Sequence, residues 1–219
     1  MINPQSIVMN CDCLEYMATC KDKQFDLAIV DPPYGLNYEN GGQYFKKMQG
    51  KTWDDKIPGQ SYFDELFRIS KNQIIWGANY FKLPPTRCVI AWTKTNELKD
   101  RNFSEFEMAW TSFDTPARWY NLKPFQRNGS RINPCQKPIN LYKWLLKNYA
   151  KEGDKIFDSH AGSMSSVIAC IDGGFPIVAC ELDFDYYEAG KKRVMNHMAQ
   201  LDCFIERPEI VWHNDTHIK

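Results

Sequence analysis

The sequence predicts an α/β protein built on a mostly parallel, doubly wound sheet with helices on both faces. Several short segments are continuously apolar, as strands covered on both faces are, and the clearest is FDLAIV at 25–30. Between these segments lie stretches whose apolar residues recur with helical spacing. Buried strands that alternate with helices in this way are typical of an α/β doubly wound sheet.

Length and composition indicate one soluble domain spanning 1–219. A chain of 219 residues can bury a full core, and 14% aromatic residues with 25% charged residues exclude disorder and a coiled coil. Lys and Arg number 27, as do Asp and Glu, so bulk positive charge cannot be the basis of nucleic-acid binding. No apolar run approaches the roughly 20 residues that cross a bilayer, and the first residues show no signal pattern. We therefore expect no membrane association and a cytoplasmic location.

The individual elements follow from local patterns. The run at 25–30 must end where Asp31-Pro32-Pro33 begins, because prolines cannot extend a strand ladder. The segment 140–150 places its leucines and aromatic residues along one helical face. Strands are predicted at 6–10, 25–30, 73–76, 87–92, 106–110, 155–158 and 176–180. Helices are predicted at 13–19, 62–69, 140–150, 165–170 and 185–201.

Two long segments lack a clear period. The polar segment at about 36–60 carries several glycines and is predicted to be a mobile loop. The segment at about 112–135 is interrupted by three prolines and a glycine, and is predicted to be a small irregular insert. Neither segment indicates a second domain.

The first candidate site comprises Asp31, Pro32, Pro33 and Tyr34. These residues follow a buried strand, and ligands of open parallel sheets bind at the carboxyl ends of the strands. The two prolines remove N–H donors and leave carbonyl groups that can accept hydrogen bonds from an amine. Asp31 adds a carboxylate and Tyr34 an aromatic face, so the set suits a flat ring with an exocyclic amino group. The alternative is a Pro-Pro turn with a capping Asp.

The second candidate site follows the strand at 155–158. A glycine turn at Ala161-Gly162-Ser163 leads into a helix, and such a turn lets a ligand approach the backbone and offers free N–H groups. The next strand ends at Glu181, whose carboxylate can accept hydrogen bonds from both hydroxyls of a ribose. The combination indicates a nucleoside-containing cofactor, although the spacing is neither the dinucleotide fingerprint nor a phosphate loop.

Both sites resemble motifs of one enzyme family. Asp31–Gly35 resembles the D-P-P-Y catalytic motif of amino-group DNA methyltransferases, and 157–166 resembles their cofactor motif. The catalytic motif precedes the cofactor motif, which is similar to the β-class of this family, with its permuted Rossmann-like methyltransferase fold and its cofactor S-adenosylmethionine. His160 stands where the family has Phe, and Met164 where it has a second glycine. Met164 either packs under the turn or narrows the pocket, and we favour the first.

The resemblance implies roles for individual residues. Asp31, Pro32, Pro33 and Tyr34 would be the catalytic group, with Tyr34 stacking on a flipped base. Asp12 would contact the cofactor adenine and Lys137 the methionine carboxylate. The full set of implied cofactor residues is Asp12, Asp31, Lys137, Asp158, His160, Ala161, Gly162, Ser163 and Glu181.

The implied reaction is methyl transfer to the N6 amine of adenine in double-stranded DNA. Cytosine N4, an RNA or protein amide, or a non-catalytic DNA-binding relative remain open alternatives. The resemblance also allows a homodimer, for which the sequence identifies no interface. A restriction–modification enzyme and a phage-borne orphan, in a bacterial or phage-infected cell, are both compatible with the sequence.

Positive charge is concentrated in one part of the chain. From Thr115 to Lys151 there are eight basic residues and no Asp or Glu. Basic side chains contact DNA phosphates, so DNA binding is predicted for the basic residues of the irregular insert, which are Arg118, Lys123, Arg127 and Arg131. Lys143, Lys147 and Lys151 are instead spaced as a solvated helix face.

The cysteines do not add a site. The eight cysteines include no C-x-x-C pair, so we expect no metal site. Pro134-Cys135-Gln136 resembles the nucleophile motif of cytosine C5 methyltransferases, in which a thiolate adds to the base. Those enzymes place the cysteine after the glycine motif, whereas Cys135 precedes it here, and we expect no catalytic role for it.

Overall fold

The computed structural model describes residues 6–36, 56–94, 104–122, 132, 135–200 and 209–213. The described strands are β1 Ser6–Met9, β2 Phe25–Val30, β3 Ser70–Trp76, β4 Val89–Thr93, β5 Phe106–Thr111, β6 Arg118–Asn121, β7 Ile156–Asp158, β8 Ile177–Cys180 and β9 Ile210–His213. The described helices are α1 Cys13–Thr19, α2 Gln60–Ile69, α3 Ile139–Tyr149, α4 Ser165–Gly173 and α5 Phe184–Ala199.

The nine described strands form a single sheet in the order β6-β4-β5-β3-β2-β7-β8-β1-β9. Strand β5 pairs antiparallel with both β3 and β4, and every other described pairing is parallel. The chain crosses from β1 over to β2 and later returns to β8 beside β1, which is the crossover pattern of a doubly wound sheet. The predicted mostly parallel sheet is therefore confirmed.

The alternation of side chains along β2 explains why helices cover both faces. Leu27 and Ile29 point into an apolar cluster that contains α3, α4 and α5. Ala28 and Val30 point to the opposite face, into a cluster that contains α1 and α2. Because each face of the central strands is apolar, burial of both faces requires helices on both sides.

Most predicted elements form within three residues of their expected ends. Strand β3 begins at Ser70 instead of residue 73, and α2 begins at Gln60 instead of residue 62. Residues 37–55 of the predicted mobile loop lie outside the described part of the chain. No helix within the described ranges is both long and apolar enough to cross a membrane.

Two edge strands were not predicted. The segment 112–135 was expected to be irregular throughout, but Arg118–Asn121 forms β6 and pairs parallel with β4 from Ile90 to Thr93. Ile210–His213 forms β9 on the other edge, beside β1. Each is four residues long. Four residues carry too little sequence pattern to identify a strand, so these two strands are defined mainly by pairing with their neighbours in the sheet.

Candidate active site

Four neighbouring parallel strands end around one cavity. Strands β2, β7, β8 and β1 are adjacent in that order, and their carboxyl ends lie at the same edge of the sheet. The cavity measures about 600 Å³, and residues that follow each of the four strands line it. Asp31 and Pro33 follow β2, the glycine turn follows β7, Glu181 follows β8 and Asp12 follows β1. The two candidate sites predicted from separate motifs therefore share one cavity.

The Asp31 carboxylate is held by two donors. The Tyr34 hydroxyl donates to Asp31 Oδ1 at 2.5 Å, and the Lys137 ammonium contacts Asp31 Oδ2. Burial raises the pKa of Tyr34 well above its ordinary value, and the charges of Asp31 and Glu107 raise it further. The hydroxyl is therefore protonated at neutral pH and acts as a donor to the carboxylate.

The Tyr34 ring is packed closely against the loop after β3. Gly77 has φ +80°, and a Cβ built there would lie 2.3 Å from Tyr34 Cε1, so only glycine fits. The ring of Tyr80 stacks on Tyr34 with the centroids 4.8 Å apart and an angle of 15° between the planes. Phe81 meets the Tyr34 ring edge-on at 6.0 Å. Stacking on Tyr80 and the glycine contact together fix the orientation of the ring.

Lys137 is a buried cation between two carboxylates. Its side chain is 3% exposed, and its ammonium lies 3.0 Å from Glu107 Oε2 and 3.3 Å from the Tyr34 hydroxyl, in addition to the Asp31 contact. Burial alone would lower the pKa of Lys137, but the charges of Asp31 and Glu107 raise it above its ordinary value. Lys137 is therefore charged at neutral pH. Because its contacts are acidic groups of the protein, it is not a surface cation available to phosphates.

Glu181 accepts hydrogen bonds on both carboxylate oxygens. Gly162 N–H donates to Oε2 at 2.7 Å and Asp183 N–H donates to Oε1 at 2.9 Å. Asn10, which follows β1, donates from Nδ2 to the carbonyl groups of Glu181 and Leu182 and fixes the backbone there. Burial raises the pKa of Glu181 to about 7. The carboxylate thus faces the cavity in a rigid position with incomplete solvation.

Beneath the cavity, Asp158 stabilises the glycine turn. It is 1% exposed, its Oδ1 accepts from His160 N–H at 3.0 Å and its Oδ2 accepts from the Ser166 hydroxyl at 2.5 Å. Burial raises its pKa to about 6. Arg193 from α5 donates to the Ser163 carbonyl at 2.6 Å and so ties the end of the turn to the helix behind it. Through its bonds to His160 and Ser166, Asp158 supports the turn.

His160 belongs to a chain of polar groups at the cavity wall. The Tyr62 hydroxyl lies 2.6 Å from Ser159 Oγ, which lies 2.8 Å from His160 Nδ1. Burial lowers the pKa of His160 to about 4, so the ring is neutral at physiological pH. In place of the apolar ring expected from the resemblance, the chain therefore presents a neutral, hydrogen-bonded imidazole.

Comparison with known proteins extends these findings. No family model matches the chain. It is 24% identical over 202 residues to a protein described as "Putative methylase YubD" of Escherichia coli (strain K12), an alignment that covers 84% of this chain and 87% of that protein. Of the solved structures, TTHA0409 of Thermus thermophilus, described as a "Putative DNA Modification Methylase", is 17% identical with a TM-score of 0.60 and covers 96% of this chain and 100% of that one.

A second solved structure is similar to the same extent. The "PvuII DNA methyltransferase (cytosine-N4-specific)" has a TM-score of 0.60 at 14% identity, covering 94% of this chain and 89% of that one. TTHA0409 complexed with S-adenosyl-L-methionine gives a TM-score of 0.58 at 18% identity over 94% of this chain and 99% of that one. The chain has the α/β methyltransferase fold.

Within this methyltransferase fold, most predicted site residues come together. Asp12, Asp31, Lys137, His160, Ala161, Gly162, Ser163 and Glu181 line the cavity, with Pro32, Tyr34 and Asp158 adjacent. Asp12 is also the N-cap of α1, with Oδ1 accepting from Leu14 N–H at 2.7 Å. Of the predicted DNA contacts, only Arg118 lies in the described part of the chain. Arg118 lies exposed on β6, and Lys123, Arg127 and Arg131 lie outside the described residues.

The sequence interpretation missed three polar residues at this site. Glu107 of β5 binds Lys137, Asn10 fixes the Glu181 loop and Tyr62 of α2 begins the chain to His160. Glu107 is the only charged residue of strand β5, which was a weak signal for its role. The partners of Asn10 and Tyr62 are 171 and 97 residues away in the sequence, and no local pattern indicates such contacts.

Proposed function

We propose that the protein is an S-adenosylmethionine-dependent DNA methyltransferase that acts on the N6 amine of adenine. One observation carries the proposal: Asp31 and Pro33 of the acceptor group line the same cavity as Glu181 and the glycine turn. A methyl transfer needs its two substrates at adjoining places, and the shared cavity provides them. The relative described as a methylase and the neighbour complexed with S-adenosyl-L-methionine support the same activity.

The cavity fits a nucleoside-containing cofactor. A volume of about 600 Å³ is in the range of small-molecule sites, and apolar Leu14 and Leu182 line it together with the Glu181 carboxylate. In our proposal Glu181 holds the ribose, Asp12 contacts the adenine, and the turn from His160 to Ser163 holds the amino-acid end. Lys137 lines the cavity and remains our proposed contact for the methionine carboxylate, in addition to its ion pairs with Asp31 and Glu107. When bound, the cofactor supplies an electrophilic methyl group on a sulfonium.

The Asp31 group would activate the target amine. The lone pair of an exocyclic amine is delocalised into the base, so the amine is a weak nucleophile. The Asp31 carboxylate and the Pro32 carbonyl would accept its two N–H groups and localise the lone pair on nitrogen for in-line attack. Tyr34 would stack on the flipped base, and Pro33 would hold the turn rigid. This chemistry is positioning and electrostatic stabilisation without a covalent intermediate on the enzyme.

Double-stranded DNA would bind across the carboxyl edge of the sheet and toward β6. Arg118 begins β6, toward the amino edge of the sheet, and is exposed. Its neighbour Trp119 is 71% exposed, and the Trp119 indole N–H donates to Thr93 Oγ1, at the carboxyl end of β4, at 2.6 Å. An exposed aromatic ring beside a basic residue suits contact with bases and phosphates. Lys123, Arg127 and Arg131 remain proposed phosphate contacts on sequence grounds.

A second candidate is methylation of cytosine N4. The likeness to the cytosine-N4-specific enzyme equals that to TTHA0409 in TM-score, and both amines need the same acceptors. One experiment tests both candidates: unmethylated DNA is incubated with protein and cofactor, digested to nucleosides and analysed by mass spectrometry. We expect N6-methyl-2′-deoxyadenosine. N4-methyl-2′-deoxycytidine would support the second candidate, and the absence of both would contradict the proposed function.

A further inference from the structure

Four charged side chains form a row that ends at Asp31. The carboxylate of Asp31 contacts the Lys137 ammonium, which lies 3.0 Å from Glu107 Oε2. The other oxygen of Glu107, Oε1, lies 2.5 Å from the Lys94 ammonium. The charges therefore alternate, negative and positive, from the cavity toward the outer strands. Glu107 and Lys94 belong to neither of the sequence motifs that predicted the site.

The row is supported by four separate parts of the fold. Asp31 follows β2, Lys94 follows β4, Glu107 lies within β5, and Lys137 precedes α3. The Lys137 ammonium also lies 5.2 Å from the centroid of the Trp76 ring and 5.8 Å from that of Tyr34. Aromatic rings and two carboxylates thus surround a cation that is almost fully buried. An arrangement drawn from four segments is held in place by the sheet itself.

The position of Lys137 creates an electrostatic problem for amine methylation. As the amine nitrogen bonds to the methyl carbon, the carbon–sulfur bond breaks and sulfur keeps the bonding electron pair. Positive charge passes to the nitrogen, which then releases one N–H proton to water. The Asp31 carboxylate next to that nitrogen stabilises the positive charge. The Lys137 ammonium, which contacts the same carboxylate, weakens this stabilisation.

We propose that Glu107 is a positioning residue that compensates the charge of Lys137 and so keeps the environment of Asp31 negative. This inference rests on the proposed function. With Glu107 present, the group of Asp31, Lys137 and Glu107 carries one net negative charge. The positive charge of Lys94, on the far side of Glu107, partly offsets this negative charge. Its effect on the reacting nitrogen is weaker than that of Lys137, because Coulomb energy falls with distance. Without Glu107, Lys137 would neutralise Asp31.

The first test is Glu107→Gln, with Glu105→Gln as its matched control. Glu105 is exposed and lies two residues away, so the control makes the same change in net charge without touching Lys137. We expect Glu107→Gln to lower kcat about tenfold or more, with the KM for DNA changed less than about threefold. The control should retain the kcat of the unchanged protein. An unchanged kcat in Glu107→Gln would overturn the proposal.

The second test asks whether Glu107 acts through Lys137. In a Lys137→Met background, the further change Glu107→Gln should alter kcat less than about threefold, because the charge that Glu107 compensates is gone. An equal loss in both backgrounds would show a merely structural role for Glu107. Urea denaturation of all variants separates loss of folding from loss of electrostatic compensation.

The third test does not depend on turnover. Sinefungin carries an amine cation near the position of the sulfonium, whereas S-adenosylhomocysteine is neutral there. Calorimetric titration gives the Kd of each compound. Glu107→Gln should lower the ratio of the Kd for S-adenosylhomocysteine to the Kd for sinefungin about fivefold or more, and Glu105→Gln should leave this ratio unchanged. An unaltered preference would overturn the inference. If the unchanged protein binds both compounds but methylates no DNA base, the proposed function is contradicted. The binding comparison with Glu107→Gln still tests this inference in that case.

Discussion

The side chain of Met164 packs against Gly190 of α5, in the space that a larger residue at 190 would fill. A Cβ at Gly190 would lie 2.8 Å from Met164 Cγ and 2.9 Å from its sulfur. Met164 itself has φ +59° and ψ +32°, the left-handed conformation in which glycine is usual, and it is fully buried. The methionine that replaces the second glycine of the cofactor motif therefore packs under the turn, as we favoured, and does not project into the cavity.

This packing predicts an unusual pair of effects. In the unchanged protein Gly190→Ala should destabilise the fold by about 1 to 3 kcal/mol, because the new methyl group overpacks the contact. In a Met164→Gly background the same change should stabilise it by up to about 1 kcal/mol, because the space is open and alanine favours a helix. Urea denaturation of the four proteins measures both values. Destabilisation of equal size in both backgrounds would contradict the contact.

A second prediction concerns the loss of stability as the pH rises from 5 to 8. Burial raises the folded-state pKa of Glu181 from 4.5 to about 7, so the folded protein holds a proton that the unfolded chain has released. This contribution to stability is complete below pH 4.5 and is lost as the pH rises through 7. We expect the drop in unfolding free energy from pH 5 to pH 8 to be smaller in Glu181→Gln by on the order of 2 kcal/mol.

The exposed Glu152 offers the control for this prediction. Glu152→Gln should show the same pH dependence as the unchanged protein, measured by urea denaturation at both pH values. The difference between pH values is the relevant quantity, because Gln at 181 also alters a backbone hydrogen bond at every pH. If Glu181→Gln and Glu152→Gln lose the same free energy, the carboxylate at 181 is not perturbed as described.

A third prediction concerns stability below neutral pH, where His160 should make the free energy of unfolding fall as the pH falls. Burial lowers its folded-state pKa from 6.5 to about 4, so its contribution is complete above pH 6.5 and is lost as the pH falls toward 4. His160→Gln should reduce the loss of stability between pH 7 and pH 4.5 by on the order of 2 kcal/mol. The exposed His213 provides the matched change His213→Gln. Equal acid sensitivity in the two variants would rule out a buried neutral imidazole.

DNA binding provides a fourth prediction. Arg118→Ala should weaken DNA binding and reduce the slope of log Kd against log salt by about 1, as expected for one lost phosphate contact. Lys147→Ala removes the same charge from the exposed face of α3 and should change neither quantity. Fluorescence anisotropy at several salt concentrations measures both. Identical slopes in the two variants would mean that β6 does not face the DNA.

The sequence was sufficient for the cavity because its walls are contiguous motifs. Asp31 to Tyr34 and the turn from Ala161 to Ser163 each follow a strand whose apolar run is visible in the sequence. Parallel strands place their carboxyl ends at one edge, so the motifs meet whatever the details of the packing. The same reasoning located Glu181, whereas Asp12 was assigned from the family resemblance alone.

The sequence could not reveal which groups bind Asp31. Lys137 is 106 residues away from Asp31, and its contact with Glu107 depends on the antiparallel strand β5. The resemblance suggested only that Lys137 meets the cofactor. Strands β6 and β9 were not predicted for a related reason, since each is four residues long and is defined by its neighbour in the sheet.

The most direct measurement of the central claim is sequencing-based mapping of methylated bases in cells that express the protein. The unchanged protein should produce N6-methyladenine within a defined short sequence. Asp31→Ala should produce none, whereas Asp114→Ala, a change at an exposed acid far from the cavity, should reproduce the unchanged pattern. Absence of methylated bases with the unchanged protein, or the same methylation with Asp31→Ala, would contradict the account.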